Sequence, residues 1–322
     1  MVKNFPFEIK ERFKSGLPSF GLWRVSGLRR VESDFVSGGL KCAGWLYLPE
    51  VKKPPVVVMA HGFAAERSFQ LTAFAERFCR EGMAVFLFDY RHFGDSEGRP
   101  RNLVSVKKQL EDWRNALKHV RSLEEVDGER IALWGTSFSG GHVLVTAAQD
   151  QNVSAVVAQV PFVDGLATAS LLGLRFIIKA AFHGAADTLA SLFGRVHHVP
   201  VVADPDRFAV MNTPGSKDGY LSLIPEGSSW KNECPARILL SIPFYRPVRY
   251  APRIKCPVLI VYAEKDTLIP PRAVRKTASK IRNVKVIGFD VGHFDVYFDP
   301  VFSETTKIET EFLKENLQEK RS

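Results

Sequence analysis

Two serines stand two positions apart in "ALWGTSFSGG", residues 132–141, and either could be the nucleophile of an acyl transfer. Centred on Ser137 the frame is Gly-Thr-Ser-Phe-Ser, and centred on Ser139 it is Ser-Phe-Ser-Gly-Gly. A serine hydroxyl is a weak nucleophile and needs a base held by an orienting acid. His293 in "DVGHFDVY" can supply the base and Asp266 in "AEKDTLIP" the acid. Asp164, after another apolar run, is the next choice of acid, and Asp290 and Asp295 stand beside the histidine. The order Ser…Asp…His is the one expected when the serine sits on a strand–turn–helix elbow. The developing oxyanion needs two donors. Phe63 N–H, after the flexible Gly62 of "MAHGFAAERS", and Phe138 N–H fit that need, with His61 a support for the loop rather than a second base.

The elements that must position these groups decide between the serines. "RIALW" reads as a strand and the next helix begins near Phe138, so Ser137 falls on the sharp turn and Ser139 inside the first helical turn. The nucleophile is therefore Ser137. Gly135 and Ser139 become the small flanks that let strand and helix approach, so Ser139→Gly is expected to be nearly silent and Ser139→Leu is not.

Around this turn, short apolar runs alternate with helix-length amphipathic segments. "PPVVVMAHG", "MAVFLFDYR", "RIALWG", "VSAVVAQVP", "CPVLIVYAEKD" and "VKVIGFD" read as strands. Helices are expected over about 66–81, 105–123, 138–149, 270–281 and 302–318, with Gly82 ending the first. Upstream, "VESDFVS" and "LKCAGWLYLP" suggest a strand pair turning at Gly38 and Gly39. Such alternation predicts an α/β fold, a mostly parallel central sheet with helices on both faces, and reactive residues at the strands' carboxyl ends.

The alternation stops between residues 165 and 255. "GLATASLLGLRFIIKAAFHGAADTLASLF" carries Arg175, Lys179, His183 and Asp187 at four-residue intervals, a polar stripe on an otherwise apolar helix. That stripe argues against a bilayer span. Two readings remain, a helix whose apolar face packs on the main domain, or a lid whose apolar face also lines a pocket. A Pro/Gly-rich region, 199–230, follows. The expected organisation is an arm over 1–30, a core over 31–164 and 256–322, and an inserted lid or cap over 165–255.

The chain has 322 residues, 45% hydrophobic and 25% charged, enough for a sizeable core without staples. Cys42, Cys79, Cys234 and Cys256 are scattered, which predicts reduced thiols, no structural metal and a cytoplasmic setting. The N-terminus is too broken by charge for a signal peptide, and no run is long and apolar enough for a membrane span. The net charge of +9 raises a nucleic-acid reading, but acids intersperse the bases and no nucleic-acid motif is present. The excess is read as solvated surface, with no nucleic-acid partner.

With "HGF", "GTSFSGG", "AEKD" and "GHFDVY" in order over roughly 40–318, the chain resembles the α/β-hydrolase superfamily. "FDYRHFGDSEGRPR" looks like a loop shared by dienelactone-hydrolase-like and prolyl-oligopeptidase-like members. The stretch from "SSWKNECPARILL" to "YAEKD" is similar to a subgroup with YcjY-like proteins and polyketide-modifying acyl- or thioester hydrolases. The resemblance implies a serine carboxylesterase-type enzyme with Ser137, Asp266 and His293 as its triad and no cofactor. Its implied partner is a small-molecule ester or thioester, and self-association into a homo-oligomer stays open. Phe63, Phe138, Phe162 and Phe294 would contribute to a hydrophobic acyl pocket. Three other readings remain: an acyltransferase or thioesterase on a carrier-bound chain, a prolyl-oligopeptidase-type peptidase, and a non-catalytic ligand-binding protein of the same fold.

Overall fold

The structure is a computed structural model and describes residues 23–25 and 28–318. Most of the expected 1–30 arm lies outside the described residues. Its last part does not stand apart, however, because β1 (Trp23–Val25) and β2 (Leu28–Glu32) open the main sheet. β3 (Phe35–Ser37) and β4 (Leu40–Cys42) form the hairpin expected at Gly38-Gly39, whose φ values of 54° and 77° suit a two-residue turn. β5 (Gly44–Pro49) then returns antiparallel to β2.

From β6 (Pro55–Ala60) onward, strands and helices alternate as the apolar runs predict. The order is α1 (Leu71–Arg80), β7 (Ala84–Phe88), α2 (Val106–Ser122), β8 (Asp127–Thr136), α3 (Phe138–Gln149) and β9 (Ala155–Gln159). An insertion follows, carrying α4 (Gly165–Ala169), α5 (Leu174–Ser191), β10 (His198–Val199), α6 (Ser216–Leu221), β11 (Cys234–Pro235) and α7 (Ile238–Ser241). The core resumes with β12 (Val258–Ala263), α8 (Pro271–Ala278), β13 (Val284–Phe289) and α9 (Val301–Asn316).

The sheet order is β1-β2-β5-β7-β6-β8-β9-β12-β13, antiparallel through β7 and parallel from there on. β6, β7, β9 and β12 bury nearly every residue, and β8 does so from Ile131 to Thr136, because helices cover both faces. Register brings the strand ends level: Ala60 pairs with Gly135, Gly135 with Ala158, and Thr136 with Gln159. The loops opening at His61 and Ser137 therefore leave the sheet side by side.

Two expectations shift. α1 starts at Leu71 rather than near 66, because Arg67 N–H is held by Asp89 Oδ1 at 2.7 Å and Gln70 turns left-handed at φ 58°. In the insertion, α5 has the opposite orientation to the one its apolar face suggested. Residues four apart advance 400° around a helix, so the polar stripe drifts by 40° at each step. Arg175 and Lys179 lie exposed, His183 is half-buried, and Asp187 is fully buried. Asp187 accepts from the Arg237 guanidinium at 2.6 and 3.1 Å, from Arg237 N–H at 2.9 Å and from His197 N–H at 2.8 Å. His183 stacks on His197 and Phe208. With Ala180 and Gly184 also inward, α5 approaches α7 so closely that a Cβ on Gly184 would sit 2.6 Å from Leu240 Cγ. A satisfied buried carboxylate fixes the inner face, and Leu174, Ile178, Phe182 and Leu189 point to solvent. No helix among the described residues is long and apolar enough to cross a membrane.

Candidate active site

Ser137 sits between β8 and α3 with φ 54° and ψ −116°, a conformation that costs a non-glycine residue on the order of 1–3 kcal/mol. Its own backbone holds it there. Ser137 N–H donates to Gln159 O at 2.9 Å, and Ser137 O accepts from Phe162 N–H at 2.8 Å. Glycine at 135 is required by space, since a Cβ there would fall 2.4 Å from Ser139 O.

Three elements bring the other groups to it. His293, after β13, is 5% exposed; its Nε2 lies 3.0 Å from Ser137 Oγ and its Nδ1 2.6 Å from Asp266 Oδ2. Asp266, after β12, accepts at Oδ1 from Leu268 and Ile269 N–H, both at 2.8 Å. With Nδ1 donating to Asp266, Nε2 is left as an acceptor for the serine proton, so the line can move a proton from Ser137 to His293. The rival acids are engaged elsewhere. Asp164 caps α4 and holds Arg246 through both oxygens at 2.8 Å. Asp290 pairs with Lys265, and Asp295 accepts from Gly292 N–H.

The His61–Ala65 loop crosses directly over the serine. A Cβ on Gly62 would be 3.2 Å from Ser137 Cβ. Phe63 N–H, on this loop, and Phe138 N–H, at the first position of α3, form no hydrogen bond to a protein acceptor among the described residues. The insertion pins the loop from outside: Tyr220 OH donates to Phe63 O at 2.9 Å and Trp230 Nε1 to Ala64 O at 2.8 Å. From inside it is held by His61, whose Nδ1 donates to Gly62 O at 3.0 Å and whose Nε2 accepts from Tyr90 N–H. Burial depresses the His61 pKa, which keeps the ring neutral and in that donor–acceptor arrangement.

Ser139 has a larger role than small size alone. Fully buried, it donates to His61 O at 2.6 Å and accepts from Tyr90 OH, which in turn accepts from Trp113 Nε1 at 2.7 Å. A four-residue relay thus ties α2, β7's end, α3 and the His61 loop together, so Ser139→Gly is now expected to cost stability rather than to be nearly silent.

Reading the sequence missed a second support, the buried Asp89–Arg67 pair at the end of β7, 3.1 Å apart. Its sign in the sequence is "FDYRHFGDSEG", where Gly94 at φ 48° lets the chain fold tightly over Asp89; a Cβ there would lie 2.2 Å from Asp89 Oδ2.

Two small apolar cavities open on Ser137. One of about 20 Å3 adjoins His293, Phe294, Tyr220 and Phe69. The other, about 80 Å3, is lined by Phe138, Phe162, Leu171, Leu172 and Ile269. Phe63 and Met211 border both. The four phenylalanines expected near a pocket all contribute. A third, larger cleft of about 710 Å3 lies on the seam between core and insertion, and Arg99, Arg101, Arg195, Lys231 and Arg237 are among its lining residues, together with Glu66. Among the described residues, no group of His, Cys, Asp and Glu is arranged to hold a metal ion.

A serine on a strained strand–turn–helix elbow above a mostly parallel sheet, reached by a histidine from the last strand's loop, defines the class of α/β hydrolases. The model of the α/β hydrolase fold family matches residues 55–300, and the chain belongs to that family. It is 40% identical over 286 residues to the quorum-quenching protein AidA of Acinetobacter baumannii, covering 88% of this chain and 94% of that one. It is also 40% identical to the thiohydrolase aneE of Aspergillus aculeatus, over 134 residues that make up 41% of this chain and 42% of that one. Among solved structures, DcsB in complex with its substrate analogue superposes with a TM-score of 0.80 at 26% identity, over 90% of this chain and 99% of DcsB.

Proposed function

We propose that the protein hydrolyses carboxylic esters or thioesters of modest acyl size through a covalent acyl-enzyme formed on Ser137. The observation that supports this most directly is the hydrogen-bonded line Asp266–His293–Ser137, with spacings of 2.6 and 3.0 Å. As Ser137 Oγ bonds to the acyl carbon, His293 Nε2 takes the hydroxyl proton and Asp266 holds the ring in the required tautomer. The carbonyl oxygen, now negative, is bound by the N–H groups of Phe63 and Phe138. Collapse breaks the bond to the leaving oxygen or sulfur, which receives the proton from His293. Water, deprotonated by the same nitrogen, then releases the acid and restores the serine. The scheme needs neither metal nor organic cofactor.

The 80 Å3 cavity takes the acyl chain, and the insertion acts as a cap, since Leu171, Leu172 and Met211 come from it. Ser137→Ala is expected to abolish turnover of short p-nitrophenyl esters and covalent labelling by a fluorophosphonate. Labelling that persists in Ser137→Ala and disappears in Ser139→Ala would overturn the assignment.

The seam cleft favours one further reading, a thioester presented on a phosphate-bearing carrier. Arg99, Arg195 and Lys231 there form no ion pair among the described residues, so they are free to meet phosphate. Glu66 in its wall is three residues beyond Phe63, which puts their Cα atoms within about 11 Å. Similarity to the thiohydrolase aneE agrees with such a substrate. A coenzyme A thioester whose kcat/KM falls in Arg195→Glu, while that of a p-nitrophenyl ester does not, would favour this reading; an alcohol or amine outcompeting water would add transfer to it.

A further inference from the structure

Among the described residues, sixteen large apolar side chains are exposed, and eleven of them lie in two stretches of the insertion, 166–193 and 240–244. Their concentration marks an interaction surface rather than ordinary scatter. The outer ridge of α5 is its centre: Leu174 is 73% exposed, Ile178 60%, Phe182 69% and Leu189 61%, with Ala185 exposed between them. These residues and Leu192 are spaced by three or four residues, and from Ile178 onward the spacing alternates as in a helix-packing seam.

We propose that this ridge pairs with the same ridge of a second copy of the chain, the two α5 helices antiparallel about a two-fold axis between residues 183 and 184. The order of side-chain sizes is what selects this occupant. A two-fold contact requires that residue i meet j while j meets i. Centred there, Ile178 faces the partner's Leu189, and Phe182 faces the partner's Ala185. Large side chains meet at both ends, and beside the axis a large ring meets a methyl group, which lets the helices close to an ordinary packing distance of roughly 8–10 Å. Charge fits the same arrangement. Arg175 and Lys179 have no acidic partner among the described residues. Both lie in the amino-terminal half of α5, and antiparallel pairing sets them beside the carboxyl-terminal turn of the other copy, where the helix dipole favours cations. The eleven side chains offer on the order of 1,000 Å2 of apolar surface, compared with roughly 800 Å2 per partner in a standard interface. A lipid surface would ask for bases along both edges of the helix, whereas these two lie on one edge.

The partner's arrival has a consequence for the site. Leu171 belongs both to the exposed patch and to the cavity beside Ser137, so the second copy would rest on the cavity's outer wall.

Sedimentation of the full chain through the micromolar range is expected to show a dimer. Ala185→Arg, a change that meets only water in a single copy, is expected to give monomer with an unchanged far-ultraviolet circular dichroism spectrum. Register is read by cysteine cross-linking. Ile178→Cys and Leu189→Cys, mixed and oxidised, are expected to form a covalent heterodimer, while Ile178→Cys alone forms none, because its two copies lie about 16 Å apart along the axis. A wild-type monomer throughout the range, a wild-type monomer that floats with anionic phospholipid vesicles, or self-linking of Ile178→Cys would each overturn the proposal.

Discussion

At Ser139, the relay from Trp113 through Tyr90 to His61 O predicts the outcome of a single methylene-and-hydroxyl deletion. Ser139→Gly leaves the Tyr90 hydroxyl and the His61 carbonyl buried without that partner, each unsatisfied group costing about 1–3 kcal/mol. A lowered Tm in Ser139→Gly, with Ser139→Ala between it and wild type, checks this. Asp266→Asn is the companion test at the acid. Its amide leaves His293 without the acceptor that selects Nδ1–H, so kcat on a p-nitrophenyl ester should fall by about 10³–10⁴ while fluorescence-monitored stability changes little. The placement of Ser137 on the turn and of Ser139 in the first helical turn was legible in the sequence, although β8 runs on to Thr136 rather than ending at Trp134. The hydroxyl of Ser139 was not, because its partners are 49 and 78 residues away and only packing brings them near.

At the scale of elements, the insertion matters for where it touches the core. Tyr220 OH holds Phe63 O, and so aims the N–H that is proposed to bind the oxyanion. Tyr220→Phe removes that bond without altering the cavity's shape, and kcat is expected to drop about tenfold, equivalent to about 1.4 kcal/mol, with KM nearly constant. Leu172 acts differently, closing the 80 Å3 cavity from the α4–α5 connection. Shortening it to alanine should shift the best substrate of a p-nitrophenyl chain-length series toward longer acyl groups. Amphipathicity located α5 within a few residues but suggested the wrong inner face. The polar stripe read from the sequence put Asp187 on the outer face, whereas its carboxylate, with four donors waiting for it, lies on the inner one.

For the whole molecule, stability should fall toward alkaline pH for an identifiable reason. Glu309 on α9 is completely buried against the indole of Trp134 at 3.0 Å, and burial pushes its carboxyl from 4.5 to about 8. A raised folded value means the native state holds a proton that the unfolded chain gives up above pH 4.5. The stabilisation is therefore complete below that pH and is lost progressively as the pH climbs to about 8. Glu309→Gln keeps an acceptor for the Trp134 indole and removes the titration. Its Tm should match wild type near pH 5 and exceed it near pH 8.5; equal melting at both would refute the account.

The sequence by itself determined the alternating strands and helices, the parallel sheet and the level at which Ser137, Asp266 and His293 leave it. Those features follow from periodicity and turn chemistry, which act over a few residues. The tertiary structure alone decided that Asp164 serves Arg246, that Ser139 links three elements, and that α5 turns its apolar ridge to solvent. Each of these depends on a polar group finding partners far along the chain, since a buried polar group left unpaired is costly and local pattern does not show where its partner will lie.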